Sequence, residues 1–143
     1  MLPNTDTTDA KYKLFVEKTA ASNLVWGLKN KDGWANSHSN DSEEIDVIPF
    51  WSDKADAKLC ARNEWKGYLP AMIPLSEFLE SGCVGMSEND TLAGINWDTN
   101  MLGLEIESLQ VAFDILTQLK NSSSTIKFKD YSSVDEFLSA ISE

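Results

Sequence analysis

The sequence predicts an α+β domain, with a single mixed or antiparallel sheet of five to six strands and helices largely on one face. Three observations predict it. Helix-like and strand-like segments follow in the order α-β-β-β-α-β-α-β-β-α and then β-α, so hairpins and helices mix rather than strictly alternate. Asp32-Gly33 falls between two apolar runs, as a tight hairpin requires. Residues 47–65, VIPFWSDKADAKLCARNEW, read as a strand running straight into a helix, with an aromatic at the junction.

Residues 1–8 are polar and expected to fray. Residues 9–22 read as the first helix, capped by Thr8 or Asp9, because Tyr12, Phe15, Val16 and Thr19 share one face. Asn23 ends it. Residues 24–28 form a strand, 30–33 a turn, and Trp34 begins the return strand. Residues 37–46, SHSNDSEEID, read as an exposed loop. Residues 47–51 form the third strand, with Pro49 marking an edge or bulge. Ser52 stands where an N-cap is wanted, and a helix over 53–65 follows with Ala55, Leu59 and Cys60 on one face. The step from this strand through this helix to the next strand suggests a right-handed crossover.

Gly67 closes that helix. A fourth strand over 68–75 is interrupted by Pro70 and Pro74. Ser76 caps a short helix over 77–81, Gly82 stops it, and 83–90 read as a loop. Residues 92–97 and 103–107 are strands joined through the turn residues Asp98-Thr99-Asn100. From Ser108 onward Val111, Ala112, Ile115, Leu116 and Leu119 line one side of the clearest amphipathic helix. After the linker 121–124 come a short strand over 125–131 and a last helix. There Ser133 and Glu136 have capping-box spacing, and Phe137, Leu138 and Ile141 face inward. The organisation is an α+β domain over 1–120 and a strand–helix extension over 121–143 that packs on it or docks a partner.

A chain of 143 residues fits one domain, able to hide roughly 68–70% of its unfolded surface. Hydrophobic content of 42%, with five Trp and six Phe, excludes a disordered chain. The formal net charge is −11, and residues 41–107 carry fourteen Asp and Glu against four Lys and Arg. Such a surface repels phosphate backbones, so nucleic acid is a poor partner; it suits a basic protein partner or serves solubility. Cys60 and Cys83 form no CxxC pair, and a single histidine completes no zinc site with them, so both read as free thiols of a reducing compartment. No signal-peptide pattern opens the sequence and no apolar run reaches the roughly 18 residues of a membrane span. The expectation is a cytoplasmic, soluble protein with no membrane partner.

No catalytic residue is assigned. His38 is the only histidine and sits between serines in a polar loop, which reads as exposed and without a task. No P-loop, GxGxxG or GxSxG is present. Glu105 and Glu107 alternate on a strand and share a face that reads as solvated. Asp41, Glu43, Glu44 and Asp46 lack the DxDxDG pattern, so no metal and no cofactor is assigned. The tryptophans either pack in the core or line a partner groove. The candidate binding residues are Trp51, Ser52 and Asp53 at the strand–helix junction, with Asn96, Trp97 and Asp98 nearby. A helix N-terminus there could hold an anion, although Asp53 opposes one. Trp51 is expected to be mostly buried, with Ser52 capping the following helix.

VWGLKNKDGWA, IPFWSDKADAKLC, NEWKGYLP, IPLSEFLES and LAGINWDTNMLGLEIE occur in this order. Together they resemble a bacterial family of small proteins catalogued as a domain of unknown function, over about residues 15–119. Phe50-Trp51-Ser52, with Asn96 and Gly103-Leu104-Glu105, is more distantly similar to the SseB N-terminal domain. There an Asn-Pro turn stands where this chain has Asn96-Trp97. That likeness implies an α+β fold and protein–protein interaction or immunity-type roles, with no catalysis. The leading expectation is a protein-binding module of immunity or accessory type. The alternatives are a small-ligand protein or enzyme with a pocket around Trp51, and a homodimer joined through a sheet edge or the C-terminal tail.

Overall fold

The computed structural model describes residues 3–39, 44–100, 102–124 and 126–142. Asp41 and Glu43 of the acidic run lie outside them. Helix α1 spans Pro3–Ser22, so it begins ahead of the expected start, and Thr8 and Asp9 lie inside it rather than capping it. Phe15, Val16 and Thr19 are buried along the predicted stripe. Asn23, at φ 61°, ends the helix and turns the chain into β1, Leu24–Asn30.

Strand β1 pairs with β2, Gly33–Trp34, across the predicted hairpin. The Asn30 side-chain oxygen accepts from the N–H groups of Asp32 (2.8 Å) and Gly33 (3.1 Å), and Gly33 sits at φ 133°. A β-branched residue would resist that angle. The expected loop 37–46 contains strand β3, Ser37–His38, which pairs antiparallel with β4, Asp46–Phe50. His38 is exposed, with Nδ1 3.5 Å from Asp46.

The single expected sheet is two sheets, of strand order β2-β1-β5 and β3-β4-β6-β7, where β5 is Leu69–Pro74, β6 Leu92–Ile95 and β7 Leu104–Glu107. The split has a local cause. The return arm of the hairpin pairs with β1 through Gly33 and Trp34, makes a last bond to it from the Ala35 N–H to the Leu28 carbonyl (2.8 Å), and then pairs with β4 through Ser37 and His38. Each neighbour is held only briefly, so β1 and β4 separate. They meet at one bridge, where the N–H groups of Trp26 and Trp51 each donate to the other's carbonyl (2.9 and 2.8 Å). The expected crossover is corrected too. The parallel neighbour of β4 is β6, not the strand that follows the intervening helix.

The four-stranded sheet separates two cores. On one face Ile48, Phe50, Ala93 and Ile95 pack with Phe15 and Val16 of α1 and with Ile115, Leu116 and Leu119 of α5, Ser108–Asn121. On the other, Val47 and Trp51 pack with Leu28, Ala57, Cys60, Trp65 and Trp97.

Two helices differ from expectation. Helix α2 is only Lys54–Leu59, and a separate 3-10 turn covers Asn63–Trp65, entered through Asn63 at φ 54°. Leu59, expected inward, is 61% exposed, while Ala57 and Cys60 face the core. After β5, helix α3 (Leu75–Glu77) runs through a π-helical segment, Phe78–Cys83, into α4 (Val84–Glu88). Ser76 and Gly82 therefore neither start nor stop it, and the expected loop over 83–90 is largely helical. Leu75, Phe78, Leu79, Cys83 and Met86 are all buried along this run. Burial of side chains of that size outweighs the roughly 1 kcal/mol that an internal glycine costs a helix.

Residues 126–131 form no strand. They are held instead by the Glu80 carboxylate, which accepts from the N–H groups of Lys129 (3.0 Å) and Asp130 (2.7 Å). Helix α6, Val134–Ile141, follows, and the Ser133 hydroxyl accepts from the Glu136 N–H (3.1 Å) as the spacing predicts. Phe137 is fully buried and stacks on Tyr131 (4.1 Å between centroids). No helix among the described residues is long and apolar enough to cross a membrane.

Candidate functional site

Strands β4 and β6 are parallel, so both end on the same side of the sheet. Trp51-Ser52-Asp53 leaves one end and Asn96-Trp97-Asp98 leaves the other. The side chain of Asn96 ties the two together. It sits at φ 48°, buried, with Oδ1 accepting from the Ser52 N–H (3.0 Å) and Nδ2 donating to the Ser52 hydroxyl (3.2 Å). Asparagine tolerates the left-handed conformation better than most residues. Ser52 is thereby corrected from helix cap to strand-end tie. Asp53 precedes α2 in extended conformation, and its side chain caps nothing but bonds to Lys18 at 2.5 Å.

The indoles complete the junction. Trp51 is fully buried and its Nε1–H donates to the Trp97 carbonyl (3.0 Å). Trp97, 4% exposed, donates from Nε1 to the Leu104 carbonyl (3.0 Å) and stacks on Trp65 (6.5 Å, 21° between planes). The Trp97 ring lies between Gly94 and Gly103. A Cβ at Gly94 would come within 2.6 Å of the indole, and one at Gly103 within 2.6 Å of its Cδ1. Asp98 Oδ1 accepts from the Asn100 (2.8 Å) and Leu102 (3.2 Å) N–H groups and closes the turn.

In front of this junction lies a cleft of about 320 Å³. Trp51, Asn96, Trp97 and Asp98 contribute to its wall; Ser52 and Asp53 do not. Lys11 and Leu14 of α1, Asp56 and Leu59 of α2, Cys60 and Thr99 complete it. Sequence reasoning missed these. Leu14 carried a signal, being an apolar residue off the buried stripe of its helix, and it is 48% exposed. The Cys60 Sγ lies 3.5 and 3.4 Å from the carbonyls of Trp97 and Asp98. Burial, and after it the carboxylates of Asp98 and Asp56, push its thiol pKa up. The thiol form prevails at neutral pH, which makes it a poor nucleophile.

Elsewhere the polar groups serve the fold. Glu105 accepts from the Ser39 hydroxyl (2.6 Å), so this carboxylate is not merely solvated, while Glu107 is exposed. Cys83 is buried, and burial raises its pKa far above the ordinary thiol value. Among the described residues no cluster of three or more His, Cys, Asp or Glu could hold a metal ion.

A family model described as "Protein of unknown function (DUF2750)" matches residues 12–115. No curated protein and no solved structure matches the chain.

Proposed function

The chain belongs to the DUF2750 family, whose description carries no activity, and we propose that the protein is a protein-binding module of immunity or accessory type. The observation that supports this reading is the pair of outward-facing leucines, Leu14 and Leu59, on two helices either side of a cleft that also holds Asp56 and Asp98. Lys11 also lines the cleft, but the carboxylates of Asp56 and Asp98 outnumber its ammonium, so apolar side chains and a net negative wall suit a partner segment that offers an apolar residue beside a basic one. The formal net charge of −11 favours a basic partner over nucleic acid or an anionic membrane. The likeness to the SseB N-terminal domain belongs to the same reading, as does a cytoplasmic location.

Of the two sequence readings of the tryptophans, core packing is the one that Trp51, Trp65 and Trp97 follow. Trp51, Trp65 and Trp97 are buried and form the rigid backing of the cleft rather than its contact surface. Selection of peptides on the immobilised protein is the test. Binders should combine Lys or Arg with Leu or Phe, weaken as salt rises, and lose at least about tenfold in affinity with Leu59→Ser, equivalent to about 1.4 kcal/mol. Binders indifferent to Leu59→Ser would remove the cleft from the proposal.

A further inference from the structure

A second cleft, of about 400 Å³, lies away from the first, between the β2-β1-β5 sheet and the π-helical segment. Its size falls within the range of pockets that enclose small molecules. Trp34, Ile73 and Phe78 supply its apolar wall and Met72, 52% exposed, stands at its edge. The Trp34 indole lies flat against β1 because position 27 is glycine; a Cβ there would meet the ring at 2.9 Å.

Two charges face this cleft from opposite elements. Lys29, on β1, holds its ammonium 5.0 Å from the Trp34 ring centroid, and Glu77 stands at the end of α3. Neither enters an ion pair among the described residues. The remaining wall is Ser81 and Gly82, both inside the π-helical segment. A single π-helical turn is a rare deformation that recurs at functional sites. Packing does not require the glycine, since a Cβ at Gly82 would make only an ordinary 3.5 Å contact with Phe78. Its bare backbone leaves this wall of the cleft open.

The geometry points to a binding site for a small zwitterion of the α-amino-acid class with an apolar side chain. Lys29 takes the ligand's carboxylate and Glu77 its ammonium. The apolar side chain lies along Trp34, Ile73 and Phe78 under Met72. A ligand with one charge only would forgo one of these two ion pairs, so tight binding calls for both charges together.

The experiment is a thermal-shift panel of the free amino acids at millimolar concentration, followed by calorimetric titration of any that raise Tm. One or more of Leu, Ile, Met, Phe or Trp should raise Tm. Its amide and its N-acetyl derivative, each lacking one charge, should bind at least about tenfold more weakly. Lys29→Gln and Glu77→Gln, both exposed positions, should each weaken the free amino acid by a similar factor while the unliganded Tm stays near the parent's. Leu59→Ser, in the other cleft, should leave this binding unchanged. No shift from any amino acid overturns the proposal. So does a ligand whose affinity survives both charge variants, and so does one that Leu59→Ser abolishes.

Discussion

Gly94→Ala is the substitution for which local preference and tertiary packing give opposite signs. Gly94 lies in β6 with no need for a left-handed backbone, so alanine should relieve unfolded-state entropy and stabilise by about 0.4–1 kcal/mol. The added methyl, however, would sit 2.6, 2.7 and 2.8 Å from Cε2, Nε1 and Cζ2 of Trp97. Those atoms belong to a rigid ring fixed by its bond to the Leu104 carbonyl and by its stack on Trp65. The ring must leave its slot. Overpacking costs about 1–3 kcal/mol, and the lost indole hydrogen bond adds about 1 kcal/mol. The net expectation is destabilisation of about 1–3.5 kcal/mol after the entropic gain is subtracted. Urea unfolding followed by tryptophan fluorescence measures it. In a Trp97→Ala background the same substitution should be neutral or mildly stabilising, leaving a coupling of more than about 1.5 kcal/mol between the two sites. A Gly94→Ala protein as stable as the parent would refute the slot.

Trp51→Ala should cost about 3–5 kcal/mol as a core truncation, whereas Ser52→Ala, which removes the hydroxyl's contacts with the Asn96 amide but keeps the backbone N–H bond to it, should cost about 1 kcal/mol in the same urea assay. Leu116→Ala should cost about 2–5 kcal/mol, because that side chain is fully buried between α5 and the sheet; a cost under about 1 kcal/mol would displace it from the core. Glu80→Ala should speed amide hydrogen exchange at Lys129 and Asp130, the two N–H groups its carboxylate receives, while leaving β6 protected. Unchanged exchange at both would mean the clasp does not hold residues 126–131 in place.

The elements that were legible carried their reasons locally. The Asp32-Gly33 turn, the stripe from Val111 to Leu119 and the Ser133–Glu136 cap each need only neighbours within one turn. What was not legible depended on distant partners. The hydroxyl of Ser52 was free to cap α2 as far as local sequence shows, but Asn96, 44 residues on, engages it. Ser76 and Gly82 look like helix punctuation, yet the buried faces of Phe78, Leu79, Cys83 and Met86 carry the helix past them. The single sheet failed because a return arm of two paired residues cannot hold β1 and β4 side by side. At the junction, Trp51, Asn96, Trp97 and Asp98 line one cleft wall and Ser52 and Asp53 do not, because the Ser52 side chain turns to Asn96 and that of Asp53 to Lys18. Leu59 was hidden because the inward face of α2 is set by Ala57 and Cys60 rather than by Ala55 and Leu59, and the helix ends at Leu59, well short of residue 65.

The claim on which the functional account rests is that buried tryptophans back a cleft whose working surface is Leu14, Leu59, Asp56 and Asp98. Titrating the 15N-labelled protein with a peptide selected on it, and mapping amide chemical-shift changes, tests this most directly. Changes should cluster at Lys11, Leu14, Asp56, Leu59 and Thr99, with Trp34 and Glu77 unmoved. Changes confined to other surfaces, with these five residues still, would contradict it.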